Sequence, residues 1–478
     1  MSSKGLEPIF SPKSIAIAGV STADVLSGGN VFGGGGMFLD ALLRYGFPGK
    51  IYPLNPKGGE ISGLKVYSSL AEIPEPVDYV ICSVPAPVVP QLVSDCVAKK
   101  VKAISIFTSG FSETGSEQGK QIEKELCRVA QRGGVRLIGP NCMGIYCPKG
   151  GLAFAADFPK EAGSVALVCQ SGGNAMHFVR IAARRGARFS KVVAYGNACD
   201  VDESDLFEYL ITDPETKVIT AYIEGIKDGT RFFEVVKKAA KVKPIIVLKA
   251  GYTEAGAKAA ASHTGSLAGS SKVWDGVLKQ AGALHVYSLE ELVDMVVALL
   301  YLTPPKGRRV GIVGVSGGAA VLATDEFVAN GFSVPPLSED FRSKLRSFLP
   351  TEHGTSLRNP IDLGAQIFSP GFYPVLASLA NYDGIDLLVV QLSLGMLVLP
   401  PFLGEGTVLN ALADWVIRVH KETSKPLALV IHAMASGESW EVALDCQEKC
   451  YRAGLPVYNS IGSAAKAIDH CITYCQRR

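Results

Sequence analysis

Short apolar runs alternate with amphipathic stretches along most of the chain. From Ser14 the run SIAIAGV gives way to small residues and then to MFLDALLRYGF, which closes on a glycine. That order predicts a strand, a turn and a helix. IYPLNP, DYVICSVP, AISIFTS and RLIGPN repeat the β-rich pattern, separated by helical segments such as PAPVVPQLVSDCVAKK and SEQGKQIEKELCRVAQRGG. A second series opens near Gly163 with SVALVCQS and AMHFVRIAARRG, then KVVAYGN, SDLFEYLITD, VITAYIEG, FFEVVKKAAK and PIIVLKA. The bend LTPPKGRR, Leu302 to Arg309, reads as a linker. VGIVGVSGG begins a third block, with strands at LLVVQLS and PLALVIHA and helices around NALADWVIRVHKE, SWEVALDCQEKCYRAG and SAAKAIDHCITYCQRR. Strands alternating with helices predict parallel sheets covered on both faces, so the fold class is α/β, with three consecutive open α/β domains. No short repeat, low-complexity tract or heptad series interrupts this plan.

Composition agrees with it. At about 150 residues per domain, 478 residues accommodate three domains. The 47 Lys and Arg against 45 Asp and Glu leave a net charge of +2, too weak a field to gather nucleic acid or anionic lipid nonspecifically. Hydrophobic residues at 47% and charged ones at 19% describe a globular chain rather than a disordered one. MSSKGLEPIF has no basic stretch leading into an apolar run, so no secretory signal is expected and the location expected is cytoplasmic. Eleven cysteines without short regular spacing suit reduced thiols. The uncharged stretch LLVVQLSLGMLVLPPFLG, residues 387–404, is long enough for a membrane helix, but Gln391, Ser393, Gly395, Pro400 and Pro401 fit a buried strand running into an apolar loop better.

Candidate chemistry gathers at strand ends. The turn from Gly19 to Gly36 holds seven glycines between a strand and a helix, so bare amides can approach the phosphates of a nucleotide or of CoA. Its spacing is not GxGxxG, and Asn55 follows the second strand where a dinucleotide-binding domain places an acidic residue, which argues against a nicotinamide-dependent oxidoreductase. Lys57 can meet a CoA phosphate; a flexible glycine loop with a solvated lysine is the plain alternative. SVPAP from Ser83, FTSGFSE from Phe107 and GPNCMG from Gly139 also lie at carboxyl ends of strands, where an open parallel sheet forms its ligand crevice, although ordinary turns need the same residues. CQSGGN offers the Ser171, Gly172 and Gly173 amides to an anion, or simply an N-capping serine with glycines for clearance. In AAASHTGSLAGSSKVWD, apolar periodicity lapses around His263. An imidazole among small neighbours is a good nucleophile toward a phosphoryl group, and Glu224 in YIEGI can hold its other nitrogen; the alternative is a solvent-exposed loop histidine. His177 and His470 fall on helices and His285 and His432 in or beside strands, where structural roles are expected. Cys446 with Cys450, and Cys471 with Cys475, have helical spacing, but no zinc-type CxxC supports a metal site, and none is assigned.

Taken together these motifs resemble the α subunit of an NDP-forming (ADP-forming) acyl-CoA synthetase, also called ADP-forming acetyl-CoA synthetase, in the superfamily of succinyl-CoA synthetase. The resemblance runs through GVS and NPK, SVP, SGFSETG, GPNCMG, QSGG, YGNACDVDESDL, YIEGI, LKAGYTEAGAKAAASHTGSLAGS and, from Asn359, NPIDLG. It implies a Rossmann-like CoA-binding domain at 1–148, a succinyl-CoA-synthetase-like flavodoxin domain with a phosphohistidine loop at 149–303, and a third flavodoxin-like domain at 308–478. CoA then falls to Gly19, Val20, Ser21, Thr22, Lys57, Ser83, Val84, Pro85, Thr108, Ser109 and Asn141, and phosphate to Gln170, Ser171, Gly172 and Gly173. His263 becomes the transient phosphoryl carrier and Glu224 its orienting group. No ATP-grasp module is recognisable, so ADP or ATP with Mg²⁺ is expected on a separate β subunit, in a heterotetramer of two α and two β chains acting on a small carboxylic acid or its acyl-CoA. The chain departs from the family's pattern in its first turn, expanded by LSGGNVFGGGG, and in NAMHF after QSGG. A CoA-binding sensor or scaffold of the same fold is the competing reading; His263 and Glu224 favour the enzyme.

Overall fold

The run Ser14–Ala18 is β1, and all five of its residues are buried, as a parallel strand between two helical layers requires. The structure is a computed structural model that describes residues 5–21, 34–258, 270–314, 316–393, 405–432 and 437–477. Thr22, His263 and residues 394–404, where an apolar loop is expected, lie outside the described residues. The chain divides into two compact units, Met1–Ala183 with Arg188–Leu292, and Arg184–Ala187 with Val293–Arg478.

The first unit holds two large sheets. In one, β2 (Lys50–Leu54), β1, β5 (Tyr79–Cys82), β6 (Ala103–Ile106) and β7 (Arg136–Ile138) lie side by side in that order, all parallel. The order reverses between β1 and β5, which is the switch point where an open α/β sheet opens its ligand crevice. β3 (Gly59–Ile61) and β4 (Leu64–Val66) form a small hairpin after β2. The helix Gly35–Tyr45 ends where expected, on Gly46 in the left-handed region, whose amide returns to the Leu42 carbonyl at 3.0 Å.

The second sheet runs β13 (Leu284–Val286), β12 (Ile245–Lys249), β11 (Val218–Ile223), β9 (Ala162–Cys169), β10 (Phe189–Ala194) and β8 (Gly144–Tyr146). Only β8 is antiparallel; it comes from the chain just before residue 148, yet it closes this sheet against β10.

In the second unit, β15 (Ile361–Asp362), β14 (Val310–Gly314), β16 (Leu387–Ser393), β17 (Leu427–His432) and β18 (Val457–Tyr458) form a parallel sheet. The NPIDLG motif is structural here: the Asn359 amide accepts from Ile312 N and donates to the carbonyls of Val310 and Pro335, completing the ladder at the flank of β14. The apolar run from Leu387 is a strand as expected, and among the described residues no helix is long and apolar enough to cross a membrane. The eleven cysteines are free thiols; Cys446, Cys450 and Cys471 are buried and Cys475 is exposed.

Candidate functional site

The carboxyl edge of the first sheet brings most of the candidate turns into mutual contact. Gly19 and Val20 both donate to the Leu54 carbonyl, at 3.2 and 3.3 Å, and Ser83 N donates to Ala18 O at 2.9 Å. Gly19 sits at φ +95°, and a Cβ there would lie 2.4 Å from the Ser83 carbonyl oxygen, so the two turns at the switch point approach closely enough to demand glycine. Thr108 Oγ1 donates to Val84 O at 2.6 Å, and Asn141 N donates to Thr108 O at 3.0 Å. Gly19, Val20, Ser83, Val84, Thr108 and Asn141 therefore form one continuous rim. Ser21 borders it half-buried, while Pro85, Ser109 and Lys57 are exposed along it. Asn55 spends its side chain on the backbone, donating to Val20 O at 2.6 Å and accepting from Lys57 N at 2.9 Å. It braces two turns, a role its sequence position did not disclose.

The carboxyl edge of the second sheet carries the candidate phosphate site. The helix Gly172–Arg184 starts one residue after Ser171, and first-turn amides of a helix have no carbonyl partner within it. Ser171 Oγ accepts from Asn174 N at 3.3 Å, which is the capping role. A Cβ on Gly172 would lie 2.4 Å from Met143 Cγ, whereas one on Gly173 would meet nothing within 4 Å, so the approach is open on the Gly173 side.

Gln170, expected at the phosphate, also braces a neighbouring turn. Its side-chain oxygen accepts from the amides of Glu224 and Gly225, and its Nε2 donates to Gly225 O at 2.8 Å. The amide thereby holds the Glu224 turn, and these bonds use only one of the two Nε2 hydrogens.

Glu224 is itself 5% exposed. Its carbonyl accepts from Lys249 Nζ at 2.8 Å, and the same ammonium donates to Ala250 O and stands 5.1 Å from the Trp274 ring centroid. Burial pulls the Lys249 ammonium below its ordinary value, and the nearby Glu224 charge counters part of this. Lys249 was not singled out from the sequence; its signal is a lysine closing the apolar strand PIIVLKA.

The two edges are joined within this unit. The amides of Asn197, Cys199 and Val201 donate to the carbonyls of Pro140, Gly139 and Leu137 at 3.0, 3.0 and 3.1 Å. The Asn197 side chain donates to Glu113 at 2.6 Å and to Glu123 at 2.9 Å. Burial pushes the Glu113 carboxyl up, but hydrogen bonds from Asn197 and from the Gly110 and Phe111 amides hold it below the usual range. Glu123 was also missed, although it occupies a position in the buried stripe Gly119, Glu123, Leu126, Ala130. A glutamate on an apolar stripe is the available signal.

His263 lies outside the described residues, so its distance to Glu224 is not described. The chain enters that segment through Tyr252 and leaves it into the helix Ser271–Ala281. His285, for which a structural role is expected, bonds to Asp275 through Nδ1 at 2.9 Å.

Two protein-family models match the chain: a CoA binding domain over residues 13–148 and a succinyl-CoA ligase like flavodoxin domain over residues 162–299. The α subunit of ADP-forming acetate–CoA ligase II of Pyrococcus furiosus is 38% identical over 467 residues, covering 97% of each chain. ADP-forming acetate–CoA ligase I of Archaeoglobus fulgidus is 38% identical over 393 residues, 81% of this chain but 55% of that longer one. Among solved structures, the dinucleotide forming acetyl-coenzyme A synthetase 1 of Ca. Korarchaeum cryptofilum, in complex with phosphate and ADP, matches with a TM-score of 0.82 at 32% identity, over 98% of this chain and 97% of that one.

Proposed function

The chain belongs to the α subunits of ADP-forming acetate–CoA ligases, and on that premise we propose that it carries a phosphoryl group on His263 between an acyl phosphate and a nucleotide held by a partner subunit. Phosphate attacks the thioester carbonyl, the C–S bond breaks, and CoA leaves as its thiol. The imidazole of His263 attacks phosphorus in the resulting acyl phosphate, and the acid leaves as carboxylate when the acyl-side P–O bond breaks. ADP then takes the group as its terminal phosphoryl. Splitting the transfer keeps each reactive intermediate away from water.

CoA lies along the rim of the first sheet, with Gly19, Val20, Ser21, Thr22, Ser83, Val84, Pro85, Thr108, Ser109 and Asn141 about it and the Lys57 ammonium beside a phosphate. Phosphate sits at Gln170, Ser171 and the Gly172 and Gly173 amides, and Glu224 orients His263. The observation that carries this reading is the doubly braced Glu224 turn: Gln170 holds its amides and Lys249 its carbonyl, beside a helix start that is open on the Gly173 side. In this account residues 1–148 bind CoA, 149–303 hold the phosphoryl site, and 308–478 form a third domain that packs in the assembly.

Nucleotide and Mg²⁺ are assigned to an ATP-grasp β subunit in an assembly of two α and two β chains, and the substrate is a small carboxylic acid. A relative of which this chain spans 55% supports the assignment, since that single chain has length to spare for a further module. Reconstitution tests it. The purified chain should bind CoA and make no ATP from acetyl-CoA, ADP and phosphate, and adding a β subunit should restore synthesis. Turnover by the chain alone, or tight Mg-ADP binding to it in calorimetry, would overturn the division of labour.

A further inference from the structure

Tyr252 and Asp275 are 23 residues apart and flank the segment that bears His263, yet their side chains meet: the Tyr252 hydroxyl donates to Asp275 Oδ2 at 2.6 Å. The other carboxylate oxygen lies 2.9 Å from His285 Nδ1. A carboxylate only accepts, so Nδ1 carries the hydrogen and Nε2 of the neutral ring is bare. Nε2 is buried and has no hydrogen-bond partner among the described residues, which fixes the ring's orientation through Asp275 and packing rather than through a second bond.

The packing is aromatic. The His285 ring centroid is 4.4 Å from that of Tyr287 and 5.6 Å from that of Tyr252, and the two tyrosines meet edge-on at 5.2 Å. His285 stands on β13 in register with Val247 of β12, so the third member of the network belongs to the sheet and not to either flank. Burial holds the imidazole's pKa below its ordinary value against the pull of Asp275, while the bond to Asp275 pushes the Tyr252 hydroxyl up to about 12. Both groups are therefore donors at neutral pH.

Trp274, next to Asp275, is buried edge-on against Phe232 and under the Lys249 ammonium that holds the Glu224 carbonyl. The start of the helix Ser271–Ala281 is thus tied on one side to Tyr252 and β13 and on the other to the Glu224 turn.

We propose that Tyr252, Asp275 and His285 form a clamp that fixes the separation of the two chain ends on either side of the His263 segment, making them positioning residues for phosphoryl transfer at His263. This rests on the role given to His263 above. Fixing the ends of a loop lowers its conformational entropy, and transfer requires the reacting atoms within about 3–3.5 Å.

The test uses the full chain with its partner subunit and the variants Tyr252→Phe, Asp275→Asn and the double variant. Amide hydrogen exchange of residues 253–258 and 271–275 reads the clamp directly, and single-turnover labelling from acetyl-CoA and labelled phosphate reads its consequence. Tyr252→Phe should speed exchange in both flanks and slow labelling, each by about fivefold, with CoA affinity unchanged. The double variant should be no worse than Asp275→Asn alone, because the two act through one carboxylate. Unchanged flank exchange, additive losses, or faster exchange with normal labelling would overturn the proposal. If Asp275→Asn does not fold, Tyr252→Phe alone decides, since it removes one hydroxyl from a half-buried ring. A wild-type protein that takes no label refutes the role of His263, and the exchange rates still decide the clamp.

Discussion

Lys249, at the end of β12, and Glu203, at the start of the helix Glu203–Thr212, show two opposite ways of burying an ionisable group. Lys249, 2% exposed, spends its hydrogens on the carbonyls of Glu224 and Ala250. Lys249→Met keeps the volume and removes the donor, leaving two turn carbonyls unsatisfied. It should cost roughly 1–3 kcal/mol in denaturant unfolding and slow phosphorylation of the chain while CoA affinity is retained. An unchanged labelling rate would reduce Lys249 to a packing residue. Glu203, 3% exposed, has its carboxyl pushed up to about 7 by burial and then by the neighbouring Asp202 charge. Between the ordinary carboxyl value of 4.5 and about 7 the folded state holds a proton that the unfolded state has released, so this group's contribution to stability falls as pH rises through that window. Glu203→Gln removes the titration. Its melting temperature relative to wild type should therefore climb from pH 5 to pH 8, and a constant difference would contradict the assignment.

At the scale of elements, the site is built from turns that fit only because their partners are close. Gly19→Ala would place a methyl group 2.4 Å from the Ser83 carbonyl at φ +95°. One of the two switch-point turns must move, so CoA affinity should fall by at least tenfold, with a loss of about 1–3 kcal/mol in stability; calorimetry on the folded variant checks the first and denaturant titration the second. The strands that carry these turns were legible because their apolar runs are continuous: β1, β5, β6, β9 and β12 fall where SIAIA, YVIC, AISI, SVALVC and IIVLK stand. β8, β15 and β18, of three, two and two residues, are too short to show a period. Their existence depends on a distant partner strand that periodicity cannot see. The site divides in the same way. Glycine-rich turns at strand ends announce themselves, whereas the use made of Gln170, Asn55 and Asn197 depends on which backbone groups the fold brings within reach. Lys249 and Glu123 did leave a trace, each being a charge at a position whose neighbours are apolar.

For the molecule as a whole, the first unit sets the sheet edges proposed for CoA and for phosphate side by side through the Asn197 contacts with Glu113 and Glu123. The account asks that chain to hold a phosphoryl group covalently, between chemistry on an acyl thioester and chemistry on a nucleotide. One measurement addresses this most directly: the chain with its β subunit is incubated with acetyl-CoA and radiolabelled phosphate, without ADP, and label retained on the α chain is mapped and tested for stability in acid and base. The account predicts an acid-labile, base-stable label on His263, discharged as ATP when ADP is added and absent from His263→Ala. Net ATP synthesis that continues in His263→Ala, or label that maps to another residue, would contradict it.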